Sequence, residues 1–283
     1  MKKVLIYYNR EMEPYVFLLD LDGTMQGNII PQIREYDIVD YVNNLKDVQK
    51  MEYNDSQLYV DMGKGLIRPH LARSLIDIKR KHPNVEFFVY TASSDRWAHF
   101  LLPRIFRYLF KTKQVINPLI LSRKDCLPTG MKSIDKVKPQ IRRFLLKKYP
   151  NAQFNRVFLV DNSYVLHQHE AHLLIHCPTY DYKVMACPLR SIPPSVLNKH
   201  YKALSTQMLR LSSNSKIEFI RKYYDNAFKE FVQTDEVNAM HVNDDYWPCF
   251  RRVFMRYKTV NEDNITHLVQ QLKRVENTCG PKP

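Results

Sequence analysis

The sequence predicts an α/β fold built on a parallel sheet flanked by helices. Three observations predict it. First, short apolar runs at residues 16–19, 87–90 and 157–160 each end on a polar residue of a functional type: Asp20, Thr91 and Asp161. Second, these runs are β-branched and aromatic and do not alternate with polar residues, the pattern of strands buried on both faces. Third, helix-period segments lie between them, and strands alternating with helices imply a parallel sheet. Ligands of such sheets sit beyond the carboxyl ends of the strands. Asp20, Thr91 and Asp161 are therefore predicted to share one edge.

Taken in order, residues 4–8 fit an edge strand, and residues 16–19 a buried one. Residues 26–64 then interrupt the α/β pattern with Asn, Asp and Tyr. They read as an insertion over the strand edge, the place for a lid or substrate-reading cap in an enzyme. Leu71, Leu75, Ile76 and Ile78 mark a helix over 71–79. Residues 141–148 form a basic amphipathic helix with Leu145 and Leu146 inward, and Leu173 to Ile175 fit a further strand. The run Arg190-Ser191-Ile192-Pro193-Pro194 reads as a boundary. Beyond it, Ser215 and Glu218 form a capping box ahead of Ile217, Ile220, Tyr224, Phe228 and Phe231 at helical spacing. Residues 246–257 and 264–275 are further helices, and 280–283 a frayed end. The expected organisation is a sheet domain over 1–190, carrying the insertion, and a helical C-terminal region over 195–283.

The 283 residues suit one large domain, or one domain plus an appendage. The apolar share of 45% and the charged share of 25% are ordinary for a soluble protein. The net charge of +14 biases encounter toward anionic partners such as phosphoproteins, nucleic acid or acidic membrane surface. The apolar run after Lys2 and Lys3 is too short for a signal peptide, and no run is long enough to span a bilayer. The five cysteines are odd in number and include no CxxC pair, so neither a disulfide framework nor a zinc ribbon is indicated. The expectation is a soluble protein of a reducing intracellular compartment, cytoplasm or nucleus, with no membrane association.

The chemistry concentrates in Asp20-Leu21-Asp22-Gly23-Thr24. Two carboxylates one residue apart at a strand end diverge, so that one enters the site while the other comes from the turn above. That suits a nucleophile and an acid–base partner acting on one phosphoryl group. Gly23 permits the turn, and Thr24 can orient it through side-chain to backbone hydrogen bonds. An Asp-Gly turn after a strand is common. The five-residue pattern behind an apolar run is far more restrictive.

At this point the sequence resembles the haloacid dehalogenase (HAD) superfamily, whose first motif has the form DxDx[TV]. Thr91, in Tyr90-Thr91-Ala92-Ser93, looks like the second motif, a hydroxyl that bonds phosphoryl oxygens. Asp161-Asn162-Ser163 looks like the fourth, where oxygen ligands hold Mg²⁺. Arg68-Pro69-His70, the Thr-Ala-Ser form and the Asp-Asn-Ser motif together resemble the phosphatases of the RNA polymerase II C-terminal domain (CTD), the small-CTD-phosphatase and NLI-interacting-factor-like group, over residues 16–187. The first motif and helical tail are also similar to those of HAD proteins of large DNA viruses.

The resemblance implies a lysine in the third motif. Lys132, in Gly130-Met131-Lys132-Ser133, follows the CTD-phosphatase pattern. Lys138, before Pro139, follows the form common elsewhere in the superfamily. Lys132 is preferred because the other motifs follow the CTD branch, and Lys136 ranks third. The implied mechanism has Asp20 as nucleophile, forming an aspartyl-phosphate, and Asp22 as general acid and then base. Thr91 and Lys132 stabilise the transferring group, and Mg²⁺ is held by Asp20, the Asp22 carbonyl, and Asp161 or Asn162. The sequence departs from the CTD branch in having Gly23 where that group usually has Glu. A longer stretch from Lys132 to Asp161 and the C-terminal helices are further departures.

Weaker signals remain. His167, His169, His172, His176 and Cys177 follow the fourth motif. They are a conceivable metal site, set against a plain histidine-rich surface, and the spacing falls one residue short of HExxH. Basic pairs such as Arg104 and Arg107, or Arg142 and Arg143, are either solvated helix faces or a nucleic-acid surface. Three functions follow. The first is a phosphoserine/phosphothreonine protein phosphatase with a phosphoprotein partner. The second is a phosphatase of nucleic-acid ends or nucleotides. The third is a binding or scaffold protein with a retired site, against which competent residues stand at every motif.

Overall fold

The structure, a computed structural model, describes residues 13–29, 55–184 and 238–280, with Gln32, Tyr36 and Asn43 singly. Five parallel strands form one sheet: β1 (Tyr15–Leu19), β2 (Val85–Tyr90), β3 (Ile116–Leu121), β4 (Val157–Asp161) and β5 (Leu174–His176), in the order β3-β2-β1-β4-β5. The helices are α1 (Asp55–Asp61), α2 (Leu71–Lys81), α3 (Asp95–Phe110), α4 (Ile134–Leu145), α5 (Tyr246–Met255) and α6 (Glu262–Val275). This is an α/β fold of the Rossmannoid kind. β1 is central, with Leu19 paired to Val89 on one side and Val160 on the other. Strand pairing therefore brings the carboxyl ends of β1, β2 and β4 to one edge.

The two faces of β1 explain its unbroken apolar run. Val16 and Leu18 point into one core with Phe88 and Tyr90 of β2, Val157 and Leu159 of β4, and Ile134, Val137, Ile141 and Leu145 of α4. Phe17 points the other way, with ring centroids 5.4 Å from Phe158, 6.3 Å from Phe250 and 5.4 Å from Phe254. Phe250 and Phe254 belong to α5, which packs against α2, while α6 packs on α5 and β5.

The chain divides into two compact units. One comprises Met1–Met25, Arg68–Tyr180 and Asn243–Lys282, and the other Gln26–Ile67 and Asp181–Val242. A division at residue 190 was expected, with everything after 195 in a separate helical region. The observed one differs because the aromatic face of α5 completes the core of the sheet. The insertion after β1 instead shares a unit with the segment after Tyr180. Within that unit, Gln32 Nε2 donates to Asp61 Oδ2 at 3.1 Å and to the Val184 carbonyl at 3.0 Å. Asn238 exchanges two 2.8 Å hydrogen bonds with the Lys183 backbone. Gly27 lies so close to the Tyr182 carbonyl that a Cβ would stand 2.0 Å from its oxygen.

Several expectations are corrected. The helix expected from 141 begins at Ile134 and ends at Leu145, leaving Leu146 exposed rather than inward. β3 and α3 were not anticipated. Asn117 and Pro118 break the apolar run of β3, which the sheet tolerates because β3 is an edge strand. Pro103 sits inside α3 and obscures its period. Cys249 and Cys279 form a disulfide, against the expectation of none. Thirty residues separate them, and the docking of α5 and α6 brings them together, which cysteine spacing does not reveal. The strand expected at 4–8 and the capping box and helix at 215–231 lie outside the described residues. No helix among the described residues is long and apolar enough to cross a membrane.

Candidate active site

Asp20 follows the last residue of β1, and its backbone N–H donates to the Val160 carbonyl at 2.9 Å, continuing the ladder with β4. The chain then turns through Asp22 and Gly23. Gly23 has a φ of 81°, and a Cβ there would meet the Asn162 side chain at 2.5 Å. Glycine is thus required twice, by the left-handed backbone and by the close approach. Thr24 is fully buried. Its hydroxyl accepts from the Asn162 N–H at 3.1 Å and donates to Asn162 Oδ1 at 3.3 Å, fastening the turn after β1 to the loop after β4.

Thr91 follows the last residue of β2, and its hydroxyl accepts from the Ser93 N–H at 3.1 Å. Ser93 in turn donates through its own hydroxyl to Asp22 Oδ2 at 2.7 Å. That contact fixes the Asp22 carboxylate, and sequence reasoning did not single out Ser93. Asp161 is the last residue of β4, with Oδ1 accepting from the Ser163 N–H at 2.8 Å.

Lys132 lies in the loop before α4. Its backbone pairs with the loop after β4, Lys132 N–H to the Val165 carbonyl at 2.8 Å and His167 N–H to the Lys132 carbonyl at 3.0 Å. The side chain is 1% exposed, and Nζ donates to Asp20 Oδ1 and, at 2.7 Å, to Asp161 Oδ2. Lys138 is elsewhere, on α4, beside Asp135 and Arg142. Tyr90 supports the lysine from below: its ring lies 5.6 Å from Nζ and its hydroxyl accepts from the Ser133 N–H.

These residues line one cleft of about 250 Å³, with Asp20, Asp22, Thr91, Ser93, Lys132, Asp161 and Asn162 in its wall. Arg123 also reaches it, held by donation from Nε to the Ala92 carbonyl at 2.7 Å. The charges do not balance. Three carboxylates face the Lys132 ammonium and the Arg123 guanidinium. Burial pushes the Asp20 carboxyl up, Asp161 and Asp22 add to the push, and Lys132 opposes it, leaving the pKa at about 7. Burial alone would lower the Lys132 pKa, but Asp20 and Asp161 outweigh it and hold the lysine above its ordinary value. Lys132 is therefore charged while its two acids compete for it.

Behind the cleft, Arg68 is 1% exposed. It donates through Nε and Nη2 to both oxygens of Asp244, at 3.0 and 2.8 Å, and through Nη1 to the Thr24 carbonyl at 3.5 Å. The Tyr246 ring lies 4.6 Å from its guanidinium. Asp244 precedes α5, so the C-terminal segment braces the turn that carries Asp20 and Asp22. The histidine group does not converge. Cys177 is buried against Thr24, and His176 stacks on Tyr164 and contacts Glu276 at 2.5 Å. His167 and His169 face each other near Asp135.

No protein-family model matches the chain, and no curated protein does. Solved structures do. The fission yeast RNA polymerase II CTD phosphatase Fcp1, bound to beryllium fluoride, matches at 14% identity and a TM-score of 0.47, over 95% of this chain and 68% of that one. A haloacid dehalogenase-like family hydrolase from Xanthomonas campestris matches at 14% identity and a TM-score of 0.28, over 71% of this chain and 100% of that one. A HAD family hydrolase from Deinococcus radiodurans with bound phosphate and sodium matches at 14% identity and a TM-score of 0.28, over 76% and 96%. The chain is thus similar in structure to a CTD phosphatase and to hydrolases named for the haloacid dehalogenase family.

Proposed function

We propose that the chain is a Mg²⁺-dependent phosphomonoester hydrolase working through an aspartyl-phosphate on Asp20, with phosphoserine and phosphothreonine proteins as substrates. One observation carries this reading: Lys132 Nζ bridges Asp20 and Asp161 at the ends of adjacent strands, within a cleft that also holds Asp22 and Thr91. The donor set fits a hard divalent cation. Two buried carboxylates, the Asn162 amide and a main-chain carbonyl at Asp22 supply oxygen only, and a cation would offset both the burial and the neighbouring carboxylates that raise Asp20. Asp20, the Asp22 carbonyl, and Asp161 or Asn162 would hold the ion. When bound, Mg²⁺ supplies charge neutralisation for the phosphoryl oxygens and keeps Asp20 ionised.

This chain's residues supply the rest. An Asp20 carboxylate oxygen attacks phosphorus in line as the bond to the serine or threonine oxygen breaks. Asp22, held by Ser93, gives its proton to that leaving oxygen. In the second half, Asp22 takes a proton from water, the resulting hydroxide attacks phosphorus, and inorganic phosphate leaves with Asp20 regenerated. The Thr91 hydroxyl and Lys132 Nζ stabilise the transferring group, a task mainly of positioning and charge. The protein-substrate assignment rests on the motif resemblance to CTD phosphatases and on the net charge of +14, which favours phosphorylated acidic segments.

The test is hydrolysis of an aryl phosphate by the purified protein with and without Mg²⁺, beside Asp20→Asn. Turnover that requires Mg²⁺ and disappears in the variant is expected. Absent Mg²⁺-dependent turnover, or equal rates from the variant, would overturn the reading. Phosphopeptides are then compared with 3′- and 5′-phosphorylated oligonucleotides, and preference for the oligonucleotides would overturn the assignment to protein substrates.

A further inference from the structure

We infer that Asp135, His169 and Glu170 form a second metal site, one for a first-row divalent cation of the zinc type, distinct from the phosphate cleft. Each residue offers one ligand atom, and the three atoms lie within 4.8 Å of one another. His169 Nε2 stands 3.4 Å from Asp135 Oδ2. Ligands about 2.0–2.1 Å from a tetrahedral zinc ion are separated from one another by roughly 3.3 Å, so this pair already spans one edge of such a polyhedron.

Glu170 provides an independent sign. It is 2% exposed, and its Oε2 has no hydrogen-bond partner although it is buried. The other oxygen, Oε1, accepts from the Asp135 N–H at 2.7 Å at the first turn of α4. A buried carboxylate oxygen without a partner is costly, and a cation would resolve that cost. The imidazole is also prepared for the task. His169 Nδ1 faces His167 Nδ1 at 2.5 Å. A bound cation would select the tautomer in which His169 donates from Nδ1–H to His167 and turns an unprotonated Nε2 to the ion in place of its contact with Asp135, with His167 as the outer partner. One nitrogen and two oxygen ligands suit zinc better than magnesium. Asp135 and His169 are exposed, with side-chain values of 70% and 60%, so an ion has a path in and water can complete the sphere.

The site would join the start of α4 to the turn Gln168–Leu173. Lys132 lies between these segments in the fold, through its pairing with Val165 and His167. A bound ion would therefore brace the loop that delivers Lys132 to Asp20.

The test titrates Zn²⁺ calorimetrically into the full chain after chelator treatment, with Mg²⁺ in excess to saturate the cleft. One zinc per chain is expected for the wild type and for Asp20→Asn. His169→Ala should lose that zinc, His167→Ala should weaken it ~10–100-fold, and His172→Ala should leave it unchanged. Far-UV circular dichroism confirms that each variant is folded. Glu170→Gln, which keeps an acceptor for the Asp135 N–H, should also weaken binding and separates ligation from helix capping. No zinc binding by the wild type, or undiminished binding by His169→Ala, would overturn the site.

Discussion

Two buried acids share one buried ammonium in this site, and the consequences are measurable residue by residue. Asp20 has its pKa pushed up to about 7 by burial and by Asp161 and Asp22, against the pull of Lys132. A raised carboxyl pKa means that the folded chain keeps a proton the unfolded chain releases. For the metal-free protein, the Asp20 contribution to stability is therefore lost as pH rises from the ordinary carboxyl range toward about 7. Mg²⁺ needs the ionised form, so protons compete with it. The apparent Mg²⁺ affinity should fall as pH falls below about 7, approaching tenfold per pH unit if one proton is displaced. Calorimetric titration from pH 5.5 to 8.5 checks this, and a flat profile would remove Asp20 from the ligand set. Arg68 and Asp244 set the second expectation at this scale. Both are buried, and they meet through two hydrogen bonds. Breaking such a pair from one side leaves an uncompensated charge, so Asp244→Ala should cost about 3–5 kcal/mol in denaturant unfolding. The strand-end positions of Asp20, Thr91 and Asp161 were legible because an apolar run that stops on a polar residue marks a strand terminus. Lys132 was legible through family resemblance alone, since a lysine between Met131 and Ser133 carries no periodic signal. Ser93 and Asp244 were not legible: each acts on a residue 71 or 176 positions away.

At the scale of elements, legibility followed burial. β1, β2 and β4 are buried along their length, so their composition is uniform and readable. β3 is an edge strand whose residues from Pro118 to Ile120 are not buried, and composition there is free to vary. α5 illustrates the opposite case. Its helical period was visible, but its destination was not, because an apolar stripe does not say what it covers. Tyr246, Trp247, Phe250 and Phe254 are all fully buried, and Phe250 and Phe254 cover Phe17 on the central strand. The Cys249–Cys279 disulfide fastens α5 to the segment that follows α6. Cross-links that close loops of this size contribute typically about 2–4 kcal/mol. Reduction, or the double change Cys249→Ala and Cys279→Ala, should lower unfolding stability by that amount while leaving the sheet folded. Parallel thermal melts with and without reductant measure it, and identical melts would show that the bridge contributes nothing.

For the whole molecule, the discontinuous division into two units explains why a single boundary near residue 190 was the natural reading of the chain. Linear composition locates breaks in sequence, whereas both units here are assembled from separated segments. Net charge, by contrast, is a whole-chain property that sequence gives completely. At +14 it creates an attractive field for anions, and that field is screened over about 10 Å at 0.1 M salt. Some of the positive charge is already paired inside the fold, as Lys148 with Glu86 and Arg251 with Asp77. The remainder should act on association rather than on the chemical step. For a doubly or triply phosphorylated acidic peptide, kcat/KM should therefore fall by roughly tenfold between low salt and 0.3 M salt, with kcat nearly constant. A small aryl phosphate, with less charge to steer, should lose far less. Equal salt dependence for both substrates would show that the basic surface plays no part in substrate capture, and would leave recognition to the cleft around Asp20 alone.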